Sequence, residues 1–313
     1  MINYKKIQRG FTLLELMIAL VLGLLIIAAA LALFMNAQKS MNFQSGMSSL
    51  QQNANFGLAQ MAHEIRHANL NTPSEQKINN KDIGSGVIFA ASNLPTAVGS
   101  GADSKYFTRF GLDNDDTNLA LGSSSDQLTI QFVPDIRGDE QYDCEGIKII
   151  TGRTYVYRYY LDKLPNEQQI PGALDRYGLY CDAGYYYTTT STEVVGLGAQ
   201  GQLVLQNVDA FKIRFLVKNP AKQLRYVTIQ EYLDNLMPDD VTDKQDYHSI
   251  GAVEIGLLIA SSESIGSDSR FNTQATYKIA GQDITLKPNT KNSQYLRQPI
   301  TQVVSFRNTL GAF

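Results

Sequence analysis

The chain has 313 residues, room for one large domain or two small ones. With 43% hydrophobic and 18% charged residues, it is excluded from the largely disordered class. Its formal charge of −3, without a basic cluster in the body, argues against sequence-independent binding to nucleic acid. The two cysteines, Cys144 and Cys181, form no C-x-x-C pair, so neither a thiolate zinc site nor a thioredoxin-like motif is expected.

The first element is an apolar run at 11–34 that contains one charge, Glu15. As a helix it measures about 36 Å, enough to span a bilayer of about 30 Å with some tilt. Lys5, Lys6 and Arg9 precede it and no acid does, which keeps the N-terminus in the cytoplasm and sends the remainder across. An ordinary secretory signal is the first rival, with Ala28, Ala30 and Ala32 as a cleavage site. Two features count against it. A carboxylate at the start of the apolar core costs on the order of 2.5–3.5 kcal/mol to bury, and helical patterning continues past the alanines. Glu15 needs a cationic partner. A cut after Gly10 would supply one as the free amine of Phe11, four residues away in the first turn, or the same amine on a neighbouring subunit.

The string Arg9-Gly10-Phe11-Thr12-Leu13-Leu14-Glu15-Leu16 resembles the class III signal of type IV pilins and type II secretion pseudopilins. That resemblance implies cleavage by a prepilin peptidase between Gly10 and Phe11, N-methylation of Phe11, and a role for Glu15 in setting register during assembly. It divides the chain into a leader at 1–10, a transmembrane helix at 11–34, an amphipathic half of the same helix at 35–70 and a periplasmic body at 71–313.

In the amphipathic half, Phe43, Met47, Leu50, Ala54, Leu58, Met61, Ile65 and Ala68 recur at intervals of three and four, one stripe of a helix expected to run to about Leu70 and stop before Pro73. Gly46 and Gly57 weaken it, each by roughly 1 kcal/mol against Ala. Near its end stands His63-Glu64-Ile65-Arg66-His67, a literal H-E-x-x-H that can bind zinc with the Glu as general base. The extended metalloprotease context is missing: Leu70 and Pro73 stand where Gly and His belong. Both His also lie about 200° around the helix from Met61 and Ile65. The expectation is therefore a solvated polar turn and no metal, with His63, Glu64 and His67 as weak candidates and a membrane zinc peptidase as the rival of another class.

The stretch 71–125 reads as long connecting structure with one strand candidate at 86–91. Asp113, Asp115, Asp116 and Asn118 crowd a loop, but Asn118 and Ser124 occupy positions where an EF-hand needs Gly and Glu, so a solvated turn is expected rather than a calcium site. Beyond it, strands are expected at 127–133, 154–161, 177–181, 202–208, 211–217, 224–229, 252–260 and 300–307. In Phe211-Lys212-Ile213-Arg214-Phe215 three apolar residues share one face and two cations the other. Such half-buried strands after a long helix imply an α+β fold: the helix lies on a mainly antiparallel sheet. Once exported, Cys144 and Cys181 can either bridge or remain two buried thiols. Tyr157 and the run Tyr185-Tyr186-Tyr187 offer an aromatic binding face, though strand tyrosines more often contact one another across a sheet.

The body further resembles PilW-type minor pilins, through the segments at 125–130, 143–146, 157–161, 179–181, 205–211, 253–261 and 304–308, in that order along the chain. This implies a Cys144–Cys181 disulfide and a pilin-like fold. It also implies a non-catalytic role, without cofactor, in a priming or tip complex of the type IV pilus. Partners would be prepilin peptidase, other minor pilins, the major pilin and a PilY-type tip adhesin. A minor pseudopilin of a type II secretion system is the alternative. The His63–His67 string has no counterpart in the resemblance.

Overall fold

The computed structural model describes residues 10–74, 77–112, 117–136, 138, 140–199, 201–264, 276–288 and 295–309. Residues 1–9 of the expected leader and the loop acids Asp113, Asp115 and Asp116 lie outside the described residues.

Helix α1 (Leu13–Ile65) is 53 residues long, about 80 Å. Its first half is apolar on all sides and makes no use of the body: the large apolar side chains from Leu13 to Met35 remain exposed. Its second half buries the expected stripe of Leu50, Ala54, Leu58, Met61 and Ile65, while Phe43 and Met47 are only partly covered. Gly46 and Gly57 fall on the same buried face. At Gly57 an added methyl group would meet the side chain of Leu205 and approach the Val204 carbonyl to 3.2 Å. The glycine therefore does more than weaken the helix, because it lets α1 lie close against a strand.

The helix stops five residues before the expected end. Asn69 and Asn71 take left-handed backbone conformations (φ 67° and 52°), which ends the α1 path. Asn308, near the other end of the chain, donates from its side-chain amide to the carbonyls of Ala68 (3.1 Å) and Arg66 (3.3 Å). Asn69 donates in turn to the Asn308 carbonyl (3.0 Å).

Eleven strands follow among the described residues, all paired antiparallel. The first sheet runs β1 (Arg109–Leu112), β2 (Ser125–Phe132), β3 (Thr154–Lys163), β4 (Tyr177–Tyr186) and β5 (Gln202–Gln206) in simple order. The second takes the order β11-β8-β6-β7, from β6 (Val208–Lys218), β7 (Leu224–Thr228), β8 (Ser249–Ala260) and β11 (Arg297–Ser305). A hairpin of β9 (Thr276–Ile279) and β10 (Gln282–Thr285) stands apart. One continuous core joins α1 to both sheets, with Ile130 and Phe132 from β2, Tyr157 from β3, Phe211, Ile213 and Phe215 from β6, and Val253 and Ile255 from β8.

The sheets are covered more fully than alternation alone suggests. On β6, Phe211, Ile213 and Phe215 share the core face as expected. The other face is not left to water: Lys212 is buried against Asp126 of β2 at 2.8 Å, and Ala210 and Leu258 lie under Tyr277, Ile279 and Ile284 of the β9–β10 hairpin. The first sheet is covered likewise. Residues 86–108, including α2 (Thr96–Gly101), place Ile88, Leu94, Val98 and Phe107 on Val156 and Tyr186. Instead of a connector, this segment forms a third layer, hydrogen-bonded to β2 through Ile88 and Gln131. The expected strand at 86–91 is reduced to a single bridge, Val87 to Ile130. Asn118 is likewise buried, donating to the carboxylate of Asp209 (2.7 Å), rather than sitting in a solvated turn.

Candidate functional site at the two ends of the first helix

At the N-terminal end, Thr12 caps α1. Its hydroxyl accepts from the Glu15 amide (3.2 Å), and the Glu15 carboxylate accepts from the Thr12 amide (3.2 Å) and hydroxyl (3.1 Å). This reciprocal box satisfies two orphan donors and places the negative charge at the positive end of the helix dipole. Gly10 and Phe11 are exposed immediately before it, Phe11 at 87%. The apolar half that follows is long and apolar enough to cross a membrane, and none of it is covered by the body.

The C-terminal end carries the histidine string. His63 is exposed and His67 half-buried, but Glu64 is only 9% exposed, so the expectation of a solvated polar turn does not hold. Glu64 follows Met61 by three positions and therefore borders the buried stripe. The wall opposite is supplied by the loop between β2 and β3, which includes Pro134, Asp135, Gln141 and Tyr142. With Phe132 and Tyr157 these enclose an open cavity of about 340 Å³ against the helix. Gln60 donates to the Glu64 carboxylate at 2.8 Å. Burial pushes the Glu64 carboxyl up to about 7, and the nearby Asp143 charge adds to the shift. Burial also lowers His67, and the neighbouring His63 lowers it further. The two rings meet edge to face with centroids 5.0 Å apart, and His67 lies 5.8 Å from Phe132.

A disulfide between Cys144 and Cys181 holds that loop to β4, with Cα atoms 6.1 Å apart. It settles the alternative left open by the residues alone in favour of a bridge. The tyrosines do not form one exposed binding face. Tyr157 is fully buried, and Tyr186 is buried and donates to Gln131 (2.7 Å). Tyr185 and Tyr187 flank Arg153, whose guanidinium stands 3.8 Å over the Tyr185 ring and donates to the Tyr187 hydroxyl (2.8 Å). Asn308 escaped the residue-level reading: nothing local marks an Asn near the far end of the chain as the donor to the turn after a helix some 240 residues earlier.

An exposed apolar helix with a capped acid in its first turn, continuing as the amphipathic spine of an antiparallel β body, defines a pilin-like protein. Residues 5–31 match the model of the Prokaryotic N-terminal methylation motif, and residues 182–308 match that of Type IV Pilus-assembly protein W. The chain is thus similar to the pilus-assembly protein W family over residues 182–308, and at 5–31 it carries an N-terminal methylation motif at the head of a helix long and apolar enough to cross a membrane. The matched region takes in β5 through β11 and Asn308. The segments at 125–130, 143–146, 157–161 and 179–181 lie outside it. Among solved structures the chain is similar to a type IV-like pilin from Thermus thermophilus, at 14% identity and a TM-score of 0.38, covering 83% of this chain and 98% of that one. No curated protein matches.

Proposed function

We propose that this chain is a non-catalytic subunit that joins other minor pilins in a complex priming type IV pilus assembly, at or near the tip, and thereby serves twitching motility, adhesion and DNA uptake. The observation that carries this reading is the uncovered first half of α1, which the body leaves free for lipid or for other helices. Before assembly it spans the inner membrane with the N-terminus in the cytoplasm and the body in the periplasm. Cleavage between Gly10 and Phe11 and methylation of Phe11 give an N-terminus that is still cationic. Leaving lipid for a bundle of similar helices exchanges one apolar environment for another, so close helix contacts and the Glu15–amine pair must supply the preference. Glu15 is held by Thr12 within its own chain, and an amine from a neighbouring subunit offers a charged partner for the same oxygens. The major pilin and a PilY-type tip adhesin are the further partners of this reading. The PilW match favours the pilus over a type II secretion pseudopilus.

Three measurements test it. Mass spectrometry of the mature chain is expected to find N-methylated Phe11 first; a first residue beyond Ala28–Ala32 would mean an ordinary signal peptide. Glu15→Ala is expected to insert in the membrane normally yet strongly reduce piliation and twitching, whereas normal piliation would remove the register role. Deletion separates the two systems: loss of twitching with intact exoprotein secretion supports the pilus.

A further inference from the structure

We propose that His63, Glu64 and His67 form a binding site for a divalent cation of the zinc class, set between the end of α1 and strand β3. Their ligand atoms all lie within 4.8 Å of one another. Tetrahedral zinc bound at about 2.0–2.1 Å holds its ligand atoms about 3.3 Å apart. Small side-chain rotations close the difference, and His63, at the exposed end of the set, has room to make them. Two imidazoles and one carboxylate suit zinc and its first-row neighbours. They do not suit magnesium or calcium, which take oxygen ligands.

Three observations separate this set from histidines that merely share a helix face. The ligands open into a cavity of about 340 Å³, room for an ion with its remaining water. Tyr157 lines that cavity and is fully buried, and its hydroxyl has no hydrogen-bond partner among the described residues. A cation-bound water would give the phenol the partner it lacks. Finally, the Glu64 carboxylate is oriented by Gln60 from the preceding turn (2.8 Å), the kind of supporting hydrogen bond that fixes a metal-binding carboxylate. The Asp135 and Asp143 carboxylates add negative charge close by. Bound there, the ion would tie the last turn of α1 through its water to β3, beside the disulfide-held loop. That is a structural staple consistent with a non-catalytic subunit, and no hydrolytic step is needed.

The test uses the untagged full-length chain in detergent, stripped with EDTA and dialysed against micromolar ZnCl2. One zinc per chain by metal analysis is expected, together with a rise in Tm on adding zinc. His63→Ala and His67→Ala should each weaken binding by about a hundredfold or more, since loss of even a supporting group costs about 10–100-fold, and should abolish the zinc-dependent Tm rise. His248→Ala, which removes the only other histidine, should change neither. His63 is exposed, so its variant is expected to keep the metal-free Tm of the wild type and separates lost binding from lost folding. Substoichiometric zinc in the wild type, or equal zinc in the wild type and the His63→Ala/His67→Ala double variant, overturns the proposal.

Discussion

Glu64 is a carboxyl enclosed by its own helix, by Tyr157 and Tyr159 of β3, and by a loop carrying Asp143, Asp135 and Tyr142. His63 and His67 flank it on α1. Its proton affinity is raised in the folded protein, from about 4.5 to about 7, so the native state holds a proton that the unfolded chain releases. The stabilisation is complete below about pH 4.5 and is lost as pH rises through about 7, a swing of up to about 3 kcal/mol. Urea unfolding of the metal-free protein at pH 5, 6 and 7 is expected to show stability falling across that window. In Glu64→Gln the fall should flatten, and an unchanged slope in that variant would assign it to another group. The histidine spacing was legible in the sequence, and so was the position of Glu64 three residues after Met61. The cavity was not, because its far wall comes from residues about 70 positions away that no helical wheel contains.

Among elements, α1 shows how pattern and contact divide the information. Its apolar stripe was legible at intervals of three and four, but the reason for Gly57 came only from the approach of β5. Gly57→Ala gains up to about 1 kcal/mol of helix propensity, yet the methyl must displace Leu205 and press on the Val204 carbonyl, at a cost of about 1–3 kcal/mol. The expected net result is a lower urea midpoint. Phe56→Ala, at an exposed neighbouring position, should leave the midpoint nearly unchanged, and equal effects of the two would count against close contact. The longer strands were legible from alternation in residues such as Phe211 to Phe215. Strands β1, β9 and β10 span four residues each, too short for a period of two to stand out. Their place depends on pairing partners and on the faces they cover. Residues 86–108 were illegible for a related reason: they cover a sheet with turns and short helices rather than a periodic element.

For the whole molecule, the disulfide links the loop walling the cavity to the middle of the first sheet, across a separation of 37 residues. Closing a loop of that size is worth roughly 3–4 kcal/mol through the unfolded state. Reduction with dithiothreitol is expected to lower the urea midpoint accordingly and to loosen the loop at 134–149 first, read as faster amide exchange there than in β6 and β8. Identical unfolding curves with and without reductant would mean that the bridge constrains neither state. The resemblance implied this pairing; the cysteines alone left it open.

Asn308 closes the turn after a helix that leaves the ribosome some 240 residues earlier, and β11 pairs with β8 directly before it. Until those residues are in place, the carbonyls of Arg66 and Ala68, just past the end of α1, lack their side-chain donor and the second sheet lacks an edge strand. Such distant pairings form late and slowly. Closure of the turn after α1 therefore waits on the completion of β11, and the fold cannot finish from its N-terminal side alone.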